Sequence, residues 1–200
     1  MNYFWIFLVS IPGIIFATTI HEYTRAAVST ALGDVLPKSK GRLTLNPVKH
    51  FEPIGFLLLF YSGGFGWGKP VETSALYYKN RKKGTFMVAV LPTLVNLIFG
   101  MIFLLVQMQI GDSPLTMVFY YLCYYNVALA VYNILPVSPM DCVKVLSVSL
   151  PANKYFQYLQ YEKMIQMIFL FLLFFGLISG LFNTLIQIIM NLMGAVFLIF

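Results

Sequence analysis

The spacing of its apolar runs constrains this chain more than any other feature. They occupy residues 3–20 with a less apolar extension to 32, then 85–110, 115–135 and 165–200, the last interrupted by Gly176 and Gly180. A helix crossing the ~30 Å hydrocarbon layer of a bilayer needs about 20 residues. Each of the first three runs therefore predicts a span, and the last is long enough for one span plus either a second span or an interfacial helix. Composition agrees, because 60% of the 200 residues are hydrophobic and only 10% are charged, against about 25% charged in soluble domains. A soluble enzyme, a collagenous or disordered chain and a disulfide scaffold are excluded. The N-terminal stretch lacks a basic n-region and stays apolar past Ile15, so it reads as a retained first span and not a signal peptide. The expected fold is an all-α polytopic membrane protein, a single domain over residues 1–200 with about five to six membrane helices including a short re-entrant hairpin.

Charge sets the expected topology. The 13 Lys and Arg against 7 Asp and Glu fall in short stretches between the apolar runs and do not line one continuous face. This is a positive-inside pattern, with membrane lipid and no nucleic acid as the expected partner. The short apolar run at 54–61 is preceded by Lys38, Lys40, Arg42 and Lys49 and followed by Lys69, Lys79, Arg81, Lys82 and Lys83. Both flanks thus prefer the cytoplasmic side, and eight residues cannot cross. The run reads as a re-entrant hairpin, in which Arg42-Leu43-Thr44-Leu45 and the glycines around Phe65 would suit small β-strands. Gly111-Asp112-Ser113 carries no basic residue and goes outside, whereas Lys144, Lys154 and Lys163 return the next loop inside. The N-terminus is then outside, most simply at the plasma membrane.

Ionisable residues inside such helices mark functional sites by default. The first span ends in His21-Glu22-Tyr23-Thr24-Arg25, whose His21, Glu22 and Arg25 share one helical side at i, i+3 and i+4 spacing. The third span ends in Asn133-Ile134-Leu135-Pro136-Val137-Ser138-Pro139-Met140-Asp141, where two prolines stop the helix. Both ends lie on the same predicted side, so His21, Glu22 and Asp141 are expected to converge at one shallow intramembrane site. Read alone, Asp141 would equally serve as an N-cap for a helix starting at Cys142, and Glu22 with Arg25 as a plain i,i+3 ion pair. His50 reads as a loop-packing residue, Cys123 and Cys142 as packing residues, and Gly63–Pro70 as a glycine-rich turn, since Pro70 stands where a phosphate-binding loop needs Ser or Thr.

These motifs, with Gly41-Arg42-Leu43-Thr44-Leu45-Asn46-Pro47 through Gly55 and Gly66-Trp67-Gly68-Lys69-Pro70-Val71, closely resemble the site-2 protease family of intramembrane zinc metalloproteases. The resemblance runs in order from about Gly13 to Leu146. It implies a membrane-embedded endopeptidase that cuts a transmembrane segment of another protein, with zinc held by His21 and Asp141 and Glu22 as general base. Asn96 and Asn133 are secondary candidates by the same resemblance. The pattern breaks at Arg25, which stands where the family has its second zinc-ligand histidine. A guanidinium stays protonated and has no lone pair to offer, so it cannot ligate zinc. It can instead take the metal's place and bridge Glu22 to Asp141. Cys142 stands where the family has glycine and is a conceivable replacement ligand. Leu91-Pro92-Thr93 replaces the usual small-Gly-Pro before Asn96.

Three functions remain open from the sequence. One is a site-2-protease-like protein with an impaired zinc site, which binds transmembrane segments of a substrate or client without efficient cleavage. Another is an active zinc endopeptidase that recruits a replacement ligand. The third is a small transporter with Glu22 and Asp141 as ion-coupling carboxylates.

Overall fold

The computed structural model describes residues 3–197. Its elements follow in chain order as α1 (Tyr3–Ala31), α2 (Leu36–Ser39), α3 (Pro47–His50), α4 (Pro53–Tyr61), a 3-10 turn at Ala75–Tyr77, α5 (Arg81–Ile110), α6 (Pro114–Asn133), α7 (Cys142–Ser149), α8 (Ala152–Phe174) and α9 (Ser179–Phe197). The boundaries follow local chemistry. Asn80 caps α5 by accepting from Lys83 N, and Ser113 caps α6 in a reciprocal capping box with Thr116. Gly111 at φ 64 ends α5, and Gly176 at φ 71 follows α8, a conformation that costs a side chain bearing Cβ more than it costs glycine.

Helices α1, α5, α6 and α9 are long and apolar enough to cross a membrane, four, where the sequence predicts about five to six membrane helices with the re-entrant hairpin counted among them. At nine residues, α4 rises about 14 Å, too little to cross. The first half of α8 carries Lys154, Glu162 and Lys163, which removes it from the set. The run at 165–200 does divide at Gly176, but its first part belongs to a helix that starts much earlier, at Ala152.

The centre is a three-helix packing of α1, α5 and α6. Every residue of α6 from Cys123 to Asn133 is buried, and α1 buries the stripe Ser10, Ile14, Ala17, His21, Arg25 and Ser29 at helical spacing. Close approach needs a missing side chain: a Cβ on Gly13 would lie 2.5 Å from Tyr121 O, and one on Gly100 would lie 3.0 Å from Val127 Cγ2. Without a hydrophobic drive between helices in lipid, small residues at such crossings and interhelical polar bonds hold the bundle.

The short run at 54–61 forms α4 and then turns at Gly63 (φ 71) and Gly64 (φ 128), and residues 65–71 return beside it. The return is tight, because a Cβ on Gly55 would sit 2.0 Å from Trp67 O. Gly55→Ala is therefore expected to destabilise the protein by about 3 kcal/mol, read as a lowered midpoint of thermal unfolding in mild detergent. No strand forms among the described residues, which corrects the expectation of small β-strands here. The reason lies in where the backbone groups find partners. Phe65 N donates to Ser62 Oγ (2.8 Å), Lys69 N to His50 O (2.7 Å) and Val71 N to a Glu22 carboxylate oxygen (2.8 Å). The Lys69 and Pro70 carbonyls accept from the Arg42 guanidinium at 2.6 and 3.2 Å. Partners drawn from α1, the end of α3, Ser62 and Arg42 take these backbone groups without building a ladder.

Candidate functional site

The C-terminal part of α1 and the chain just beyond α6 meet as the sequence predicts. His21, Glu22 and Arg25 are each 3% exposed and Asp141 is 1% exposed, so four ionisable groups share one buried volume. The Arg25 guanidinium is its hub. Nη1 donates to both Glu22 oxygens at 2.6 Å, Nη2 donates to Asp141 Oδ1 at 2.6 Å, and Nη2 stands 3.1 Å from His21 Nε2. His21 Nε2 is also 2.8 Å from Asp141 Oδ2. Glu22 is thus not merely in an i,i+3 pair; it belongs to a network that crosses from α1 to the loop before α7. Short, charge-assisted contacts of this kind are the strong ones.

A second layer orients this cluster. Asn96 from α5 sends its amide nitrogen to Ala17 O (3.1 Å) and Asn126 Oδ1 (2.8 Å), which turns its oxygen toward His21 Nδ1 at 2.7 Å. Asn126 in turn donates to Leu122 O at 2.8 Å. Every amide group is then satisfied only if His21 Nδ1 is the donor, and Nε2 is the nitrogen turned toward Arg25 and Asp141. The Leu91-Pro92-Thr93 sequence does not hold α5 away, since Pro92 packs inside and Asn96 is fully buried. Asn133 accepts from Asp141 N at 3.1 Å and donates to Leu129 O at 2.8 Å, pinning the Asp141 backbone to the end of α6. Although Asp141 occupies the N-cap position of α7, its side chain makes no capping bond, because Arg25, His21 and, at 3.4 Å, Lys144 Nζ take its oxygens.

Three contributors are missed by the sequence reading. Lys144 stands i+3 from Asp141, a spacing visible in the sequence. Val71 acts through its backbone N–H, for which no side-chain signal exists. Asp34, after the end of α1, is 1% exposed and accepts from Ser29 Oγ (2.8 Å), Leu36 N (3.0 Å) and Ser74 N (2.7 Å). It anchors the segment that delivers Val71 to Glu22. Asp34→Ala strands the half-buried Leu36 and Ser74 N–H groups, at an expected cost of about 2 kcal/mol, and should speed hydrogen exchange at Leu36 and Ser74 before the rest of the fold.

His50 is fully buried, with Nε2 2.7 Å from Thr44 O and its backbone oxygen taken by Lys69. Burial holds its imidazole below the ordinary pKa, in keeping with a loop-packing role. Cys142 is a free, partly buried thiol whose pKa burial raises, and thiolate is the form a metal takes.

The donor set at the hub does not fit a catalytic zinc. Such a site needs three protein ligands and an open position for water. His21 and Asp141 supply two ligands, and the third direction holds a cation. Among the described residues no three His, Cys, Asp or Glu side chains are grouped closely enough to hold a metal ion. Glu22, to which the family resemblance assigns the general-base role, has both oxygens engaged by Arg25 and one also by Val71 N. The space beside these groups, bounded by Trp67, Gly68, Pro70, Leu129 and Pro139, is about 10 Å³, at the limit for a single water. The two carboxylates are already matched by Arg25 and Lys144, so a divalent ion would leave buried positive charge in excess.

Comparison with known proteins identifies the family. The profile of peptidase family M50 matches residues 4–176. A Bacillus subtilis (strain 168) protein, YwhC, is 32% identical over 148 residues, 69% of this chain and 67% of its own length. A Mycolicibacterium smegmatis (strain ATCC 700084 / mc(2)155) protein, Rip2, is 27% identical over 150 residues, 70% of this chain and 57% of its own length. Both relatives carry the name "Putative zinc metalloprotease". No solved structure matches this chain significantly. With four helices able to cross a membrane and the family profile covering most of its length, the chain is an integral membrane protein that belongs to peptidase family M50, the site-2 proteases.

Proposed function

We propose that this protein is a non-cleaving member of its family, which binds transmembrane segments of client membrane proteins through a retained protease scaffold. The observation that carries the reading is the position of the Arg25 guanidinium, 2.6 Å from oxygens of both Glu22 and Asp141 and 3.1 Å from His21 Nε2. It touches each of the three residues that the family resemblance assigns to zinc and catalysis. One permanent cation thereby does the structural part of a metal's work, linking α1 to the loop after α6, but it offers no open coordination position and activates no water. The protein works in the plasma membrane with its N-terminus outside and the Arg25 cluster near the cytoplasmic side, as the distribution of Lys and Arg favours.

The names of the relatives favour a second reading, an active zinc endopeptidase in which Cys142 or a water replaces the missing ligand. The two readings separate in one pair of measurements on the intact protein in mild detergent. Elemental analysis after removal of loosely held metal is expected to find well under one zinc per chain. A photo-crosslinkable transmembrane peptide should be captured intact, to the same extent by the wild type and by Glu22→Gln. About one zinc per chain, with peptide cleavage that Glu22→Gln abolishes, would overturn the first reading and establish the second.

A further inference from the structure

Where α1 ends and α5 begins, a crevice of about 340 Å³ is lined by Ala31, Leu32, Lys79, Asn80, Lys83, Gly84 and Met87. That volume lies within the range of small-ligand sites. Its lining is divided, with Lys79, Asn80 and Lys83 polar and Leu32 and Met87 apolar, while Gly84 lets the Tyr78 ring pack against α5, where a Cβ would lie 2.5 Å from Tyr78 Cδ2. Arg81 and Lys82 stand beside it, and all four cations are exposed. Among the described residues none of the four has a carboxylate at ion-pair distance. Two carboxylates close in sequence to this end of the bundle are committed elsewhere, Asp34 to Ser29, Leu36 N and Ser74 N, and Glu72 to Lys40.

Four like charges within five residues repel one another, and three of them fall on the first turn of a helix that has no acidic residue there, where the macrodipole disfavours cations. Among the described residues no carboxylate at ion-pair distance offsets this cost. The two helices that form the crevice are both long and apolar enough to cross a membrane, and the crevice sits at the polar end of the apolar stretch of α5, the level of a bilayer's headgroups and upper acyl chains.

We infer that this crevice is a binding site for an anionic phospholipid. Lys79 and Lys83 engage the phosphodiester of the headgroup, Arg81 and Lys82 add to the local positive potential, and Leu32 and Met87 receive the upper part of the acyl region. The amphiphilic lining selects a lipid over a free phosphate, and the absence of a carboxylate partner selects an anionic over a zwitterionic headgroup. The site shares no residue with the Arg25 cluster and stands whether or not the protein cleaves clients.

The test is native mass spectrometry of the intact protein released from mild detergent, titrated with phosphatidylglycerol or phosphatidylcholine of matched chains. Phosphatidylglycerol is expected to bind in clear preference. The Lys79→Gln/Lys83→Gln double variant, altered only at exposed positions, should weaken that binding about 30-fold, while Lys154→Gln/Lys163→Gln, which removes the same charge from α8, should leave it unchanged. On the wild type, added salt should weaken phosphatidylglycerol binding and spare phosphatidylcholine. Equal binding of the two lipids, or equal losses in the two double variants, would overturn the site. Displacement of the lipid by equimolar glycerol phosphate or by an acidic peptide would overturn the assignment to lipid in favour of a soluble phosphate or a protein partner.

Discussion

Arg25→His is expected to convert a chain that retains little zinc into one that holds about one zinc per chain. On α1 the new side chain would lie one turn from His21, so two imidazoles and Asp141 would then converge where the guanidinium now sits. The change also releases Glu22, whose oxygens are both held by Arg25 at 2.6 Å, to act on a metal-bound water. Zinc content and zinc-dependent thermal stability read the result without requiring any substrate. A ligand bound by the folded state alone raises the unfolding midpoint by mass action. The zinc-free variant should melt below the wild type, because its two carboxylates lose their cation, and zinc should restore it. Cleavage of a transmembrane peptide, expected to be absent in the wild type, should appear in the variant and disappear again with Glu22→Gln. A folded Arg25→His protein that takes up no zinc would show that more than one residue separates this scaffold from a working site, with Cys142→Gly the next change to combine.

The second large effect concerns stability. Arg25→Met keeps most of the apolar stem and deletes the charge, leaving the Glu22 and Asp141 carboxylates buried at 3% and 1% exposure. Removing one partner from a buried ionic cluster costs about 3–5 kcal/mol, enough to lower the midpoint of unfolding by many degrees or prevent accumulation of the protein. Arg25→Lys separates charge from geometry, since an ammonium keeps the charge but cannot present the planar fork that meets Glu22 with Nη1 and Asp141 with Nη2. It should recover only part of the loss. The wild-type cluster is itself imperfect, because Arg25 Nε is buried with no hydrogen-bond partner. If Arg25→Met were as stable as the wild type, the guanidinium would not be the cross-link that the distances describe.

Much of this site is legible in the sequence because its informative features are local. Ionisable residues three and four positions before Arg25, at the end of an apolar run, place His21, Glu22 and Arg25 on one side of a helix whatever else the chain does. The Pro136 and Pro139 pair ends α6 before Asp141 for equally local reasons. Asn96 was legible only as a weak candidate, since the bonds that orient it come from Ala17 and Asn126 on two other helices.

The sequence by itself determined the membrane as solvent, three of the four helices able to cross it nearly to their ends, and an arginine, which has no lone pair for a metal, where the family resemblance expects a histidine, all properties of composition, helical period and side-chain chemistry. Tertiary structure decided the rest. The contact between Arg25 and Asp141 joins residues 116 apart in sequence, and that between Val71 N and Glu22 joins residues 49 apart, so no local pattern announces either. The segment 65–71 has the glycines of a hairpin and forms no strand among the described residues, because its backbone partners come from α1, the end of α3, Ser62 and Arg42 and not from a neighbouring extended chain. The Asp34 anchor and the lysine-lined crevice arise in the same way, where separate helix ends and loops converge, and only the packed fold sets which groups are left to meet there.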